Sequence, residues 1–423
     1  MKYAICCLGC KVNLYEAEST AEEMDRRGWH RVPFEEEADA VLVFTCAVTN
    51  TAAAKSRKML HRARRSAPNG AIVLVGCYVQ VDDGKLDDAD ILVGTSHKKE
   101  IPDLIERFLT DRKPIKAVTV LDSIPYDNLR SENFSGRTRA FLKVQDGCDQ
   151  YCSYCVIPYT RGHQRSMEPD AAIAAAKALA RTHREIVLTG IHTGRYGREH
   201  GVTLAQLAER ILQETDILRL RISSIEITEV DDRLLDLLAN DERVARHLHI
   251  PLQAGSDSVL AKMHRPYTTQ QYLQSIQKIR ERVPGISIST DLITGFPQES
   301  EEDFAETVEF LKKCEFSFLH VFPFSLRSGT EAEKMSGHLS EAVKKQRAAV
   351  CLQLSDELQR SMMHSWIGKE AAVITETAKD GHTTGYTSEY IPVVLDGHLP
   401  SSQYVRVRLS EVTDDLRMKG EIL

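Results

Sequence analysis

Asp146-Gly-Cys-Asp-Gln-Tyr-Cys-Ser-Tyr-Cys155 follows directly on a strand pattern at residues 141–144. Its cysteines Cys148, Cys152 and Cys155 form CxxxCxxC on one loop. Three thiolates at this spacing can hold three corners of a cubic iron–sulfur cluster and leave the fourth iron free to chelate a small molecule and pass it an electron. Spacing alone leaves two other readings open. One is a zinc site, with His163 as the nearest fourth ligand; the other is three small buried side chains.

Downstream of this loop, strand patterns at 185–188, 220–225, 248–252, 286–292 and 316–321 alternate with helical ones at 169–181, 203–212, 271–282 and 301–312. Six strand–helix units, counting the strand at 141–144, predict most of a parallel barrel, with a long amphipathic helix at 340–365 packed across it. Upstream, strands at 2–8, 40–44 and 71–75 alternate with helices at 13–27 and 52–66, which predicts an open parallel α/β sheet. Residues 111–138 lose periodicity around Pro114, Pro125 and Gly136 and read as a linker. After Gly368, short β-runs at 371–375, 391–395 and 404–409 predict a small β-barrel. The expected division is 1–110, 111–138, 139–365 and 366–423.

The 423 residues carry 54 Lys+Arg against 61 Asp+Glu and are 42% hydrophobic, values that exclude a disordered chain or a disulfide-stapled mini-protein. The longest apolar run, residues 71–81, falls short of the roughly 18 that a membrane span needs. Residues 2–8 read as a buried strand rather than an export signal, so ten cysteines point to metal or catalysis in a reducing, cytoplasmic setting. Cys10, Cys46 and Cys77 each follow a predicted strand of the first domain. Strand ends of an open parallel sheet converge on one edge, so these thiolates form a second candidate cluster; buried cysteines packing as small hydrophobes are the alternative. Cys6, Cys7, Cys314 and Cys351 read as core.

With these residues in view, the whole chain resembles the radical S-adenosylmethionine methylthiotransferases. The resemblance rests on Leu8-Gly-Cys-Lys-Val-Asn before Tyr15-Glu16, Val144-Gln-Asp-Gly-Cys with its CxxxCxxC, Ile157-Pro and Thr160-Arg-Gly. It continues through Ile186-Val-Leu-Thr-Gly-Ile-His, Ile250-Pro-Leu-Gln-Ala-Gly-Ser, Thr290-Asp-Leu-Ile-Thr-Gly-Phe-Pro and Val321-Phe-Pro-Phe-Ser. It implies two 4Fe-4S clusters, one on Cys148, Cys152 and Cys155 that cleaves S-adenosylmethionine and an auxiliary one on Cys10, Cys46 and Cys77 that holds the methylthio sulfur. It also implies an open (β/α)6 barrel and a carboxyl-terminal barrel of the RNA-gripping TRAM type. Cys10-Lys-Val-Asn13 resembles the branch acting at C2 of threonylcarbamoyladenosine beside the tRNA anticodon. Isopentenyladenosine in tRNA, a ribosomal-protein aspartate and a non-catalytic two-cluster electron carrier are the alternatives. The chain departs from the family where Ser325-Leu-Arg-Ser-Gly-Thr replaces Ser-Pro-Arg-Pro-Gly-Thr, which affects loop stiffness.

The resemblance further implies cofactor contacts by Tyr154 and by residues at barrel strand ends: Thr189, Gly190, Ser224, Glu226, Gln253 and Gly295, with His192 a further candidate. Lys55, Lys58, Arg62 and Arg65 fall on one helix face that could track phosphates of a tRNA anticodon stem-loop, or simply be solvated. Residues 366–423 hold six Lys+Arg and nine Asp+Glu, so RNA affinity there is expected only from a local patch such as Arg406 and Arg408, read as pointing to opposite faces. A monomer served by an external electron donor, with no membrane contact, is expected.

Overall fold

A computed structural model describes residues 1–81, 86, 88–121, 124–132, 134 and 136–423. The amino-terminal third is a six-stranded sheet, parallel throughout, in the order His30–Arg31, Lys2–Cys7, Ala40–Thr45, Ala71–Gly76, Ile91–Val93, Ile115–Ala117. Ala40–Thr45 and Ala71–Gly76 are buried along their full length, as helices on both faces require, and this explains their unbroken apolar runs. The first three residues of the expected linker that form structure, Ile115–Ala117, are instead the edge strand of this sheet. They add one backbone ladder to it, a pairing too short to show as sequence periodicity. Strand Ile91–Val93 and helix Ile101–Asp111 add to the elements expected from periodicity, and Tyr15 Oη donates to Leu129 O at 2.8 Å, so part of the connecting stretch lies against the first domain.

The middle of the chain is an open arc of six parallel strands. Arg139–Lys143, Glu185–Thr189 and Arg219–Ile222 form one half, and His247–His249, Ser287–Thr294 and Phe318–Pro323 the other. The halves meet through the single bridges Leu220↔Val244 and Ser224↔His249. Helix Glu341–His364 packs back across the last strands, where Leu319 N donates to Ser355 Oγ at 2.9 Å and Arg347 pairs with Glu299 at 2.5 Å.

Beyond it, Glu370–Lys379, His382–Thr387, Pro392–Asp396, Met418–Ile422 and Tyr404–Val412 close a five-stranded barrel. This barrel docks under the arc, at the amino ends of its strands. Tyr390 stacks on His247 with ring centroids 5.0 Å apart, beneath Arg139 and Arg221, and Arg219 donates to Tyr386 O and Ala372 O at 2.9 Å. Docking at this end leaves the carboxyl ends of the strands, the rim where barrel sites form, facing the first domain.

Candidate functional site

Cys10, Cys46 and Cys77 leave three neighbouring strands at the point where strand order reverses, the edge at which open sheets form ligand crevices. Thr45 pairs with Gly76, so Cys46 and Cys77 emerge at one level. Gly9 has φ +100°, and a Cβ there would lie 2.8 Å from Cys46 Cβ. Only glycine lets Cys10 and Cys46 come together in this way. Burial pushes the Cys46 thiol up to about 11; a Val48 backbone donor opposes the rise, and the Cys77 and Cys10 sulfurs add to it.

Cys148, Cys152 and Cys155 crowd one another similarly. Burial raises Cys155 to about 12, with Cys152 the next contributor. Arg265 Nη1 donates to the Cys152 sulfur at 3.4 Å, and its Nη2 pairs with Glu226. His192 Nδ1 lies 3.4 Å from the Cys148 sulfur. Its Nε2 stands 2.9 Å from Glu229 Oε1 but off the hydrogen-bond direction, so that contact is ionic. Burial lowers His192, yet Cys148 and Glu229 outweigh it and hold the imidazole up at about 9. His163, the fourth ligand that a zinc site would have needed, is exposed and engages Asp149 at 2.6 Å. Among the described residues no three His, Cys, Asp or Glu side chains converge tightly enough to hold one metal ion.

Where the first domain meets the barrel rim lies a cavity of about 250 Å³, walled by Val48 and Thr49 just beyond Cys46, by Tyr154 and Cys155, and by Gln253, Asp291, Ile293 and Phe322–Ser325 of the rim. The loop after the last barrel strand is fastened to the first domain there: Asn50 N donates to Ser325 Oγ at 3.1 Å and Arg327 Nη1 to Asn50 Oδ1 at 2.7 Å.

Of the residues expected to touch a cofactor, Tyr154 and Gln253 line this cavity. Glu226 reaches the cysteine loop through Arg265. Thr189 is buried within its strand, and Ser224 spends its backbone on the bridge to His249. Gly190 abuts Gln145, 2.9 Å from where its Cβ would be, so its close approach serves the barrel wall. Gly295 likewise faces Lys344 of the long helix, at 2.5 Å from a built Cβ, rather than the cavity. The structure adds Arg265, Asp291, Phe322 and Arg161 to these candidates. The last three fall inside quoted motifs, whereas Arg265 carries no local signal because its role depends on packing 113 residues from Cys152.

Lys55, Lys58, Arg62 and Arg65 are exposed on helix Asn50–Ser66, and Arg62 alone among them is neutralised, by Glu35 at 2.6 Å. Arg406 and Arg408 point to the same face of strand Tyr404–Val412, not opposite ones, because positions two apart share a face. Both engage Glu370, at 2.8 and 3.4 Å, which reduces any net charge they could offer a phosphate.

Residues 142–311 match the Radical SAM superfamily and residues 2–94 the uncharacterized protein family UPF0004. The chain is 36% identical to the threonylcarbamoyladenosine tRNA methylthiotransferase of Bacillus subtilis, over 98% of both chains. It is also 36% identical to the same-named protein of Aquifex aeolicus, over 96% of this chain and all of that one. Against the tRNA-2-methylthio-N6-dimethylallyladenosine synthase of Moorella thermoacetica the identity is 31%, over 100% and 98%. In fold it is similar to the radical S-adenosylmethionine methyltransferase TsrM of Kitasatospora setae, with TM-score 0.56 and 13% identity over 76% of this chain and 74% of that one. These matches run through both cysteine sets and every domain, and the chain belongs to the radical S-adenosylmethionine methylthiotransferase family.

Proposed function

We propose that the protein adds a methylthio group to C2 of threonylcarbamoyladenosine beside the anticodon of a tRNA, in the cytoplasm, as a monomer drawing electrons from an external donor. Cys148, Cys152 and Cys155 would hold one 4Fe-4S cluster with S-adenosylmethionine, and Cys10, Cys46 and Cys77 a second. Bound there, these groups supply radical hydrogen abstraction and a sulfur source, chemistry suited to an aryl C–H that is neither acidic nor nucleophilic.

The observation that carries this reading is the cavity shared by Cys155 and the segment that follows Cys46. Its apolar lining residues include Phe322 and Phe324, whose flat faces suit stacking by a base, and exposure of Val48 and Phe322 leaves the cavity open to an incoming loop. Arg265 and His192 orient the Cys152 and Cys148 sulfurs. Lys55, Lys58 and Arg65, exposed and without ion pairs among the described residues, suit a phosphate backbone.

Lys11 favours the threonylcarbamoyl substrate over dimethylallyladenosine. It follows Cys10 directly, is solvent-accessible, and makes no ion pair among the described residues. Its charge is felt at His247 and His320 of the barrel interior. Burial, with Arg139 and Arg221, lowers Lys11 while Asp291 opposes the fall; as an ammonium it suits a substrate carboxylate, and a dimethylallyl group offers it no charge partner.

The test is mass spectrometry of tRNA nucleosides from a strain lacking the gene. The methylthio mark on threonylcarbamoyladenosine is expected to vanish and to return on complementation. An unchanged profile, or loss of the mark from dimethylallyladenosine instead, overturns the assignment.

A further inference from the structure

Arg161 ends the short helix Ile157–Arg161, six residues past Cys155, and its side chain is fully buried between the two cysteine sets. All of its donor nitrogens are engaged. Nε donates to the Cys77 sulfur at 3.3 Å, Nη1 to Glu16 Oε1 at 2.9 Å and Asp146 Oδ1 at 3.0 Å, and Nη2 to Asn13 Oδ1 at 2.8 Å and Glu16 Oε2 at 3.2 Å. Asn13 in turn donates to Leu8 O at 2.8 Å and Thr45 O at 2.7 Å, the strand ends that lead to Cys10 and Cys46. One guanidinium therefore touches Cys77 directly and braces the backbone of the other two cysteines. Asp146, two residues before Cys148, ties the same group to the CxxxCxxC loop.

The charge around it does not balance. Among the described residues Arg161, Lys143, Lys98 and Arg165 form ion pairs with Glu16 and Asp146 alone, with the Asp127 carboxylate also acting on Lys98, and apart from a slightly accessible Arg165 the paired groups are sealed from solvent. Buried cations in excess of their ion-pair partners favour further negative charge nearby; burial lowers Lys98, which sheds part of the excess, while Arg161 and Arg165 stay charged. The sulfurs of Cys10, Cys46 and Cys77 are the groups adjacent to this excess, and a three-thiolate cluster would supply it.

Resting on the reading that these cysteines hold a cluster, we infer that Arg161 is its positioning residue: the Nε–H···Sγ contact to Cys77 and the fixed charge raise the cluster's reduction potential, and the fork to Asn13 and Asp146 fixes its ligand set against the barrel. A donor and a cation beside a cluster favour its more negative, reduced state, so their removal makes reduction harder.

The test uses the full chain with Cys148, Cys152 and Cys155 changed to Ala, reconstituted anaerobically, so that only the cluster on Cys10, Cys46 and Cys77 remains. The parent, Arg161→Lys and Arg161→Met are compared by iron content, circular dichroism and redox titration followed by electron paramagnetic resonance. The midpoint potential is expected to become more negative in Arg161→Lys, which keeps a charge but loses the fork, and more negative still in Arg161→Met. Loss of iron from a variant whose circular dichroism is unchanged equally supports the positioning role. A potential in Arg161→Lys equal to that of an iron-bearing parent overturns the role of Arg161 alone. A parent that takes up no iron overturns the cluster reading itself, and the inference with it.

Discussion

Arg265 Nη1 lies 3.4 Å from the Cys152 sulfur while its Nη2 pairs with Glu226. One cation thus links a candidate cluster ligand to the end of the third barrel strand. Outer partners of this kind hold a ligand's orientation and basicity. Arg265→Lys is expected to lower the yield of 5′-deoxyadenosine from dithionite and S-adenosylmethionine about 10- to 100-fold. Iron content measured in parallel should stay near the parent's.

Gly9 at φ +100° presses against Cys46. Gly9→Ala puts a methyl group where the Cys46 side chain sits and forces an unfavourable backbone on a non-glycine residue. Iron after reconstitution is expected to fall from about eight to about four per chain, as one of two four-iron clusters is lost. Reductive cleavage of S-adenosylmethionine should persist while methylthiolation stops.

His192 gives the metal-free chain a pH dependence. Its ordinary value of 6.5 is raised to about 9 in the fold, against the lowering effect of burial, by Cys148 and Glu229. A group raised on folding stabilises fully below its unfolded value, and that contribution disappears as pH climbs through its folded one. Denaturant unfolding of the apo chain should therefore show stability falling between about pH 6.5 and 9. His192→Gln should flatten that limb.

Lys11 is expected to act on substrate rather than on the fold. A hydrogen bond to a charged group is worth roughly 1.5–3 kcal/mol, so Lys11→Gln should reduce kcat/KM for a threonylcarbamoyladenosine stem-loop by about 10- to 100-fold. The iron content and melting temperature of the variant should be unchanged. Equal turnover by parent and variant would remove the argument for a carboxylate-bearing base.

Lys55, Lys58 and Arg65 are exposed on helix Asn50–Ser66 and have no ion pair among the described residues. With Lys55, Lys58 and Arg65 all changed to Ala, tRNA binding should weaken and the slope of log K against log salt should flatten by about 2–3, near one unit per lost phosphate contact. The same measurement on Arg406→Ala and Arg408→Ala should show a smaller change, since Glu370 already shares both charges.

Spacing and periodicity alone determined the CxxxCxxC loop, the six-unit arc and the long helix behind it, because local contacts and a regular apolar face fix such features. The short strands Ile91–Val93 and Ile115–Ala117 carry too few residues to show a period, and only pairing to the sheet brings them into existence. Arg406 and Arg408 could have been assigned to one face from their spacing, but their shared use of Glu370 required the neighbouring strand. The meeting of Cys10, Cys46 and Cys77 at one edge, the cavity that Cys155 shares with the segment after Cys46, and the burial of Arg161 and Arg265 against sulfur were decided by tertiary structure. Each depends on groups tens to more than a hundred residues apart, whose contact is set by how sheet and barrel pack rather than by any local run of sequence.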